Sequence, residues 1–138
     1  MRQRGIAMLV ATAPLVALAL LLAPTAGAAE SAAPTLKTDV QPIFEMACTD
    51  CHGAKRAKAK LDLSAASARG ALVNHPADQV PQMMRVKPGD PESSYLWHKL
   101  QHKAAKGKGM PRGIFSAKRL PEAQLEVIRK WIEAGAPE

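Results

Sequence analysis

Cysteine is nearly absent from this chain. Cys48 and Cys51 are the only two among 138 residues, so no structural disulfide competes for either thiol. Aromatics are as scarce, with Phe44, Tyr95, Trp97, Phe115 and Trp131 the whole set. A small domain with so few large side chains has a limited core of its own. Basic stripes interleaved with aromatics are missing, so the excess of 19 Lys and Arg over 12 Asp and Glu is not a nucleic-acid signal. No segment alternates convincingly in the manner of a strand, no βαβ context is readable, and no internal repeat occurs.

What is present centres on the two cysteines. They stand in Cys48-Thr49-Asp50-Cys51-His52, and C-x-x-C-H reads as a covalent attachment site for c-type haem. Each thiol can add to one vinyl group, and the adjacent imidazole can supply a nitrogen to the iron. Residues three apart on a helical turn share a face, so both sulfurs can reach one edge of a flat macrocycle. A thioredoxin-like pair would want the missing βαβ context. A four-ligand zinc site would want further ligands at clustered spacing, and His75, His98 and His102 are scattered.

The N-terminus has the form of a secretory leader. Arg2 and Arg4 precede an apolar run from Ile6 to Ala23, and Ala26-Gly27-Ala28 offers a small-residue cleavage site. The competing reading is an uncleaved anchor, because 18 residues approach the lower limit for a span; Pro14 and the cleavage site favour removal. Gln3 separates the arginines, so no twin-arginine signal is indicated, and no cysteine marks a lipid anchor. This divides the chain into a signal peptide over 1–28, a tail rich in Ala, Ser and Pro over 29–36, and one domain over 37–138. Nineteen Lys and Arg, less Arg2 and Arg4, against 12 acids leave the exported part at +5. A buried haem would add a large apolar plate for the helices to pack on.

The first helix is predicted to start at Thr38 or Asp39, with Pro42 in its first turn and an apolar face of Val40, Ile43, Phe44 and Ala47. It should run into Cys48–His52 and end at Gly53. Ser64 can cap a short helix reaching Val73. Residues 74–91, with four prolines, read mostly as ordered loop. Pro91 opens a further helix ending near His102, with Tyr95, Leu96 and Leu100 inward. The last helix is the clearest. Pro121 sits at its start, Leu125, Ile128 and Ile132 form its stripe, Arg129 and Lys130 lie near its negative end, and Gly135 stops it.

An iron held by His52 needs a ligand or an open site on its other face. A thioether gives an electron-transfer centre of raised potential, a second histidine lowers it, and an open face permits binding or catalysis. Met46 lies in the attachment helix, on the wrong side. Met110 sits in Gly107-Lys108-Gly109-Met110-Pro111, where the glycines let the backbone approach closely and the proline favours an extended shape. That ranks it ahead of Met83, Met84, His75, His98 and His102, although methionine is also common as adaptable packing. His98 and His102 are one helical turn apart, a spacing that fits a metal pair or two packing residues.

Several ordered motifs resemble one family. They are Val40-Gln41-Pro42-Ile43-Phe44, Cys48-x-x-Cys51-His52-Gly53, Leu61-Asp62-Leu63, Val86-Lys87-Pro88-Gly89-Asp90-Pro91-Glu92-Ser93-Ser94-Tyr95-Leu96, Met110-Pro111 and Trp131-Ile132-Glu133-Ala134-Gly135-Ala136-Pro137. The chain is similar to the class I c-type cytochrome domains called planctomycete-type cytochrome C. The resemblance implies an all-α, small monohaem cytochrome c fold of three to five short helices, one covalent haem c, and His52 and Met110 as axial ligands. Two departures stand out: Arg112 follows Pro111 where the family usually has a second proline, and Leu120-Pro121 opens the last helix where Ser or Thr is usual.

The expected function is that of a periplasmic monohaem electron carrier rather than an enzyme. Lys55, Arg56, Lys58 and Lys60 near the attachment edge, with Lys103, Lys106, Lys108 and Arg112 around the methionine loop, can steer a redox partner with an acidic docking surface. A solvated surface needing no such role is the plainer reading of those charges. Membrane contact is expected only if the leader is uncleaved. The alternatives are a haem enzyme or gas sensor with a labile sixth ligand, and a haem module that works docked on a larger oxidoreductase.

Overall fold

Thr35 caps the first helical turn. The computed structural model describes residues 32–112 and 119–138. The expected leader over 1–28, the first residues of the tail and Phe115 lie outside the described residues. The Thr38 amide donates to Thr35 Oγ1 at 3.3 Å, and the Thr35 amide donates to Asp39 Oδ2 at 2.8 Å. This is a reciprocal cap, in which each partner satisfies a donor that the helix start would leave orphaned. Thr38 and Asp39 are therefore partners of the cap and not the cap itself. A π-helical turn, Leu36–Val40, follows and leads into helix α1, Gln41–Ala47, with Pro42 in its first turn.

Helix α1 stops at Ala47, short of the expected Gly53. Cys48–Cys51 form a turn, and His52–Gly53 become a strand, β1, paired antiparallel with β2, Arg56–Ala57. A 3-10 turn at Lys58–Lys60 and the extended Leu61–Leu63 lead to helix α2, Ala68–Leu72. Strands β3, Pro76–Ala77, and β4, Val80–Met84, form a second antiparallel pair with an irregular register. A 3-10 turn at Pro91–Ser93 leads into helix α3, Tyr95–Leu100, and helix α4 spans Glu122–Glu133. Among the described residues no helix is long and apolar enough to cross a membrane.

The expectation of an all-α fold is corrected by these two small antiparallel sheets: the domain mixes helix and strand. The reason they escape a sequence reading is physical. A pair of two-residue strands holds no alternation to detect, and Pro76 and Pro81 read as breakers. In a two-stranded ribbon every strand is an edge, so a residue lacking its N–H is tolerated there.

The core is built where α4 meets the Leu36–Val40 turn and α1. Leu125, Ile128, Trp131 and Ile132 form the buried stripe of α4 against Leu36, Val40, Ile43 and Phe44. Burying side chains of this size is worth about 1.5–3 kcal/mol each. The Pro137 carbonyl accepts both the Trp131 indole N–H at 2.8 Å and the Leu36 amide at 2.9 Å, so the two ends of the domain are tied at one oxygen. Gly135, at φ +92°, makes the stop after α4. Val86, Trp97 and Leu100 extend this core, and Ala77, Val80 and Tyr95 make a smaller one beside β3 and β4.

Candidate functional site

The turn carrying the two cysteines is tightly held. Cys48 N–H bonds the Phe44 carbonyl at 2.8 Å, while Cys51 and His52 donate to the Cys48 carbonyl at 3.1 and 2.8 Å. One helix-like turn thus presents both thiols and the histidine. The His52 carbonyl accepts the Leu63 amide at 2.7 Å, which anchors the turn to the apolar Leu61–Leu63 segment. Gly53 is needed because a Cβ there would lie 2.5 Å from the Thr49 carbonyl oxygen.

These residues open onto a cavity of about 770 Å³. Cys48, Cys51 and His52 line it together with Met110 and Pro111. Ala47, Leu61, Leu63, Leu72, Leu96 and Leu100 supply its apolar wall, and the volume is in the range of cofactor sites. Met83 and Met84 do not line it; they border a separate hollow with Asn74, Lys87 and Glu92. His75 and His98 do not line it either. Their rings bond the carbonyls of Pro76 at 3.0 Å and Glu92 at 2.7 Å. The helical pairing expected for His98 and His102 does not form. Helix α3 ends at Leu100, and His102 takes φ +61°, with its ring against Gly109.

The donor set suits a haem. His52 Nδ1 lies 2.9 Å from the Lys58 carbonyl. A carbonyl only accepts, so Nδ1 carries the proton and Nε2 keeps a free lone pair for a metal. Burial pushes the Cys48 thiol up to about 11, so at neutral pH it is protonated. A redox-active cysteine needs a depressed value, which argues against a thioredoxin-like pair. Among the described residues no group of three or more His, Cys, Asp or Glu is placed to hold a metal, which leaves the zinc alternative without a ligand set.

Two cations in the cavity wall were not singled out from the sequence. Arg85 is nearly buried and donates to the Ala71 carbonyl at 2.8 Å and Asp78 Oδ2 at 3.2 Å. Lys99, also nearly buried, lies 4.8 Å from the Tyr95 ring centre. A signal existed for Lys99 alone: it follows Tyr95 by one helical turn on an otherwise apolar face.

Comparison with known proteins gives one match. The sequence model of the planctomycete cytochrome C family matches residues 48–112. No curated protein and no solved structure matches the chain. The family suggested by the motifs is borne out over that stretch, which runs from the first cysteine to just past Met110. It points to a c-type cytochrome and implies covalently bound haem c.

Proposed function

We propose, taking the planctomycete cytochrome C match as premise, that this protein is an exported carrier of single electrons with one haem c. The observation that carries this reading is the shared cavity: of the candidate ligands, only Met110 lines it together with Cys48, Cys51 and His52. When bound, the haem supplies an iron that changes between ferric and ferrous states without bond chemistry on a substrate. Cys48 and Cys51 would hold it through two thioether bonds. His52 would ligate through Nε2, its ring oriented by the Lys58 carbonyl. Met110 would supply a thioether to the same iron, a ligand that raises the potential.

The leucines of the wall exclude water, and a low-dielectric site lowers the reorganisation that each electron transfer requires. The exposed basic residues on and around the cavity rim serve the encounter with an acidic redox partner. Lys55, Arg56, Lys58 and Lys60 are exposed on one segment, and Lys103, Lys106, Lys108 and Arg112 on the other. Export by the 1–28 leader puts this exchange in the periplasm, where c-type attachment chemistry also belongs.

Mass spectrometry under denaturing conditions tests the attachment. The protein matured with haem should carry the mass of one haem, and the Cys48→Ser, Cys51→Ser double variant should carry none. Haem lost from the wild type on denaturation would refute it.

A further inference from the structure

Lys99 is the least expected side chain of the cavity wall. It is 9% exposed, yet no described carboxylate pairs with it. An ammonium taken out of water is costly unless each of its donors is satisfied. Its three donors are: Nζ bonds Gln79 Oε1 at 2.9 Å, the Lys106 carbonyl at 2.8 Å and the Lys108 carbonyl at 3.1 Å. Two of these partners belong to the loop that carries Met110. The third tether is Lys99's own carbonyl, which accepts the Met110 amide at 2.8 Å. One residue of α3 thus grips the loop at positions 106, 108 and 110.

The loop is shaped to this grip. Gly107 takes φ +71°, and a Cβ there would lie 2.4 Å from Lys99 Nζ and 2.3 Å from Gln79 Oε1. Only glycine lets the chain wrap so closely around the ammonium. The Tyr95 hydroxyl, 2.7 Å from both Gln79 Oε1 and the Lys106 carbonyl, closes the ring of contacts.

We propose that Lys99 is a positioning residue, its buried ammonium clamping the 106–110 loop so that Met110 stays on the cavity. This rests on the reading of Met110 as an iron ligand. Carbonyls gather around a cation more strongly than around a neutral group, so removing the charge releases two of the three tethers. The loop then opens more often, and an external ligand competes more easily for the position Met110 holds.

Imidazole binding to the ferric, haem-loaded protein measures that opening. Lys99→Met should bind imidazole at least about tenfold more tightly than the wild type, because fewer charge-assisted bonds hold the loop shut. Gly107→Ala, which leaves Lys99 in place but drives a methyl into its ammonium, should tighten binding in the same direction; it carries the test if Lys99→Met fails to load haem. A role in general stability alone would lower the melting temperature and leave imidazole affinity unchanged. Met110→Ala separates the two claims. If it binds imidazole no better than the wild type, Met110 is not the ligand and the clamp falls with it. If it binds tightly while Lys99→Met and Gly107→Ala behave as the wild type, the clamp alone is overturned.

Discussion

A single missing atom at Gly53 decides how the cysteine turn closes. Its neighbour is the Thr49 carbonyl oxygen, which belongs to backbone and cannot swing away as a side chain could. Gly53→Ala should therefore destabilise the domain by about 1–3 kcal/mol, the usual cost of forcing a methyl into a filled space. Thermal unfolding of the haem-loaded protein checks this, and an unchanged melting temperature would count against it. At this scale the sequence was informative where chemistry is written into adjacent residues. Cys48, Cys51 and His52 form a contiguous motif, and the glycines around Met110 advertise a close approach. For Lys99 the sequence offered only its spacing from Tyr95; its role depends on Gln79, twenty residues earlier, and on loop carbonyls, which no side-chain code records.

Among the elements, the turn before α3 shows how a few polar atoms shape a proline-rich segment. Buried Ser94 accepts the Lys87 amide at 2.8 Å and donates to the Asp90 carbonyl at 2.8 Å, which folds residues 87–94 back on themselves. Asp90 caps the Pro91–Ser93 turn by accepting the Ser93 amide. The Ser93 hydroxyl, the Lys87 ammonium and the Ser93 amide hold the Asp90 carboxyl down at about 2. A carboxyl depressed by folding stabilises above its unfolded value near 3.8, and that contribution is lost as pH falls toward 2. Asp90→Asn should flatten the dependence of stability on pH between about 4 and 2. Acid titration followed by circular dichroism reads it; an undiminished slope would mean other carboxyls carry the acid sensitivity. Helices α3 and α4 were legible from their apolar stripes and prolines. The start of the first helix was misplaced because Thr35 lies in a stretch that composition marks as tail. The strands were missed because their pairing is specified by turns, not by a pattern of their own.

Across the whole molecule, eight exposed basic side chains stand on the two segments that carry Lys55–Lys60 and Lys103–Arg112, next to the attachment turn and in the Met110 loop. Exposed charges of this kind gain little from one another, but together they raise the rate of encounter with a partner of opposite sign. Electron exchange with an acidic redox protein should slow about tenfold or more as salt rises from about 0.01 M to 0.3 M, as screening shortens the reach of the field. Stopped-flow mixing at several ionic strengths tests this, and a rate independent of salt would remove the docking role. The c-type cytochrome family and the covalent haem it implies were readable at this scale. The mixed helix and strand content was not, since a limited core leaves short ribbons to close its edges.

Visible spectroscopy of the haem-loaded protein tests most directly whether Met110, with His52, would hold the iron. Oxidised and reduced spectra should be low-spin, with a weak far-red sulfur-to-iron band that Met110→Ala abolishes. A high-spin wild type would contradict the account and favour a haem with an open face. A low-spin spectrum unchanged in Met110→Ala would contradict it too, and would assign the position to another residue.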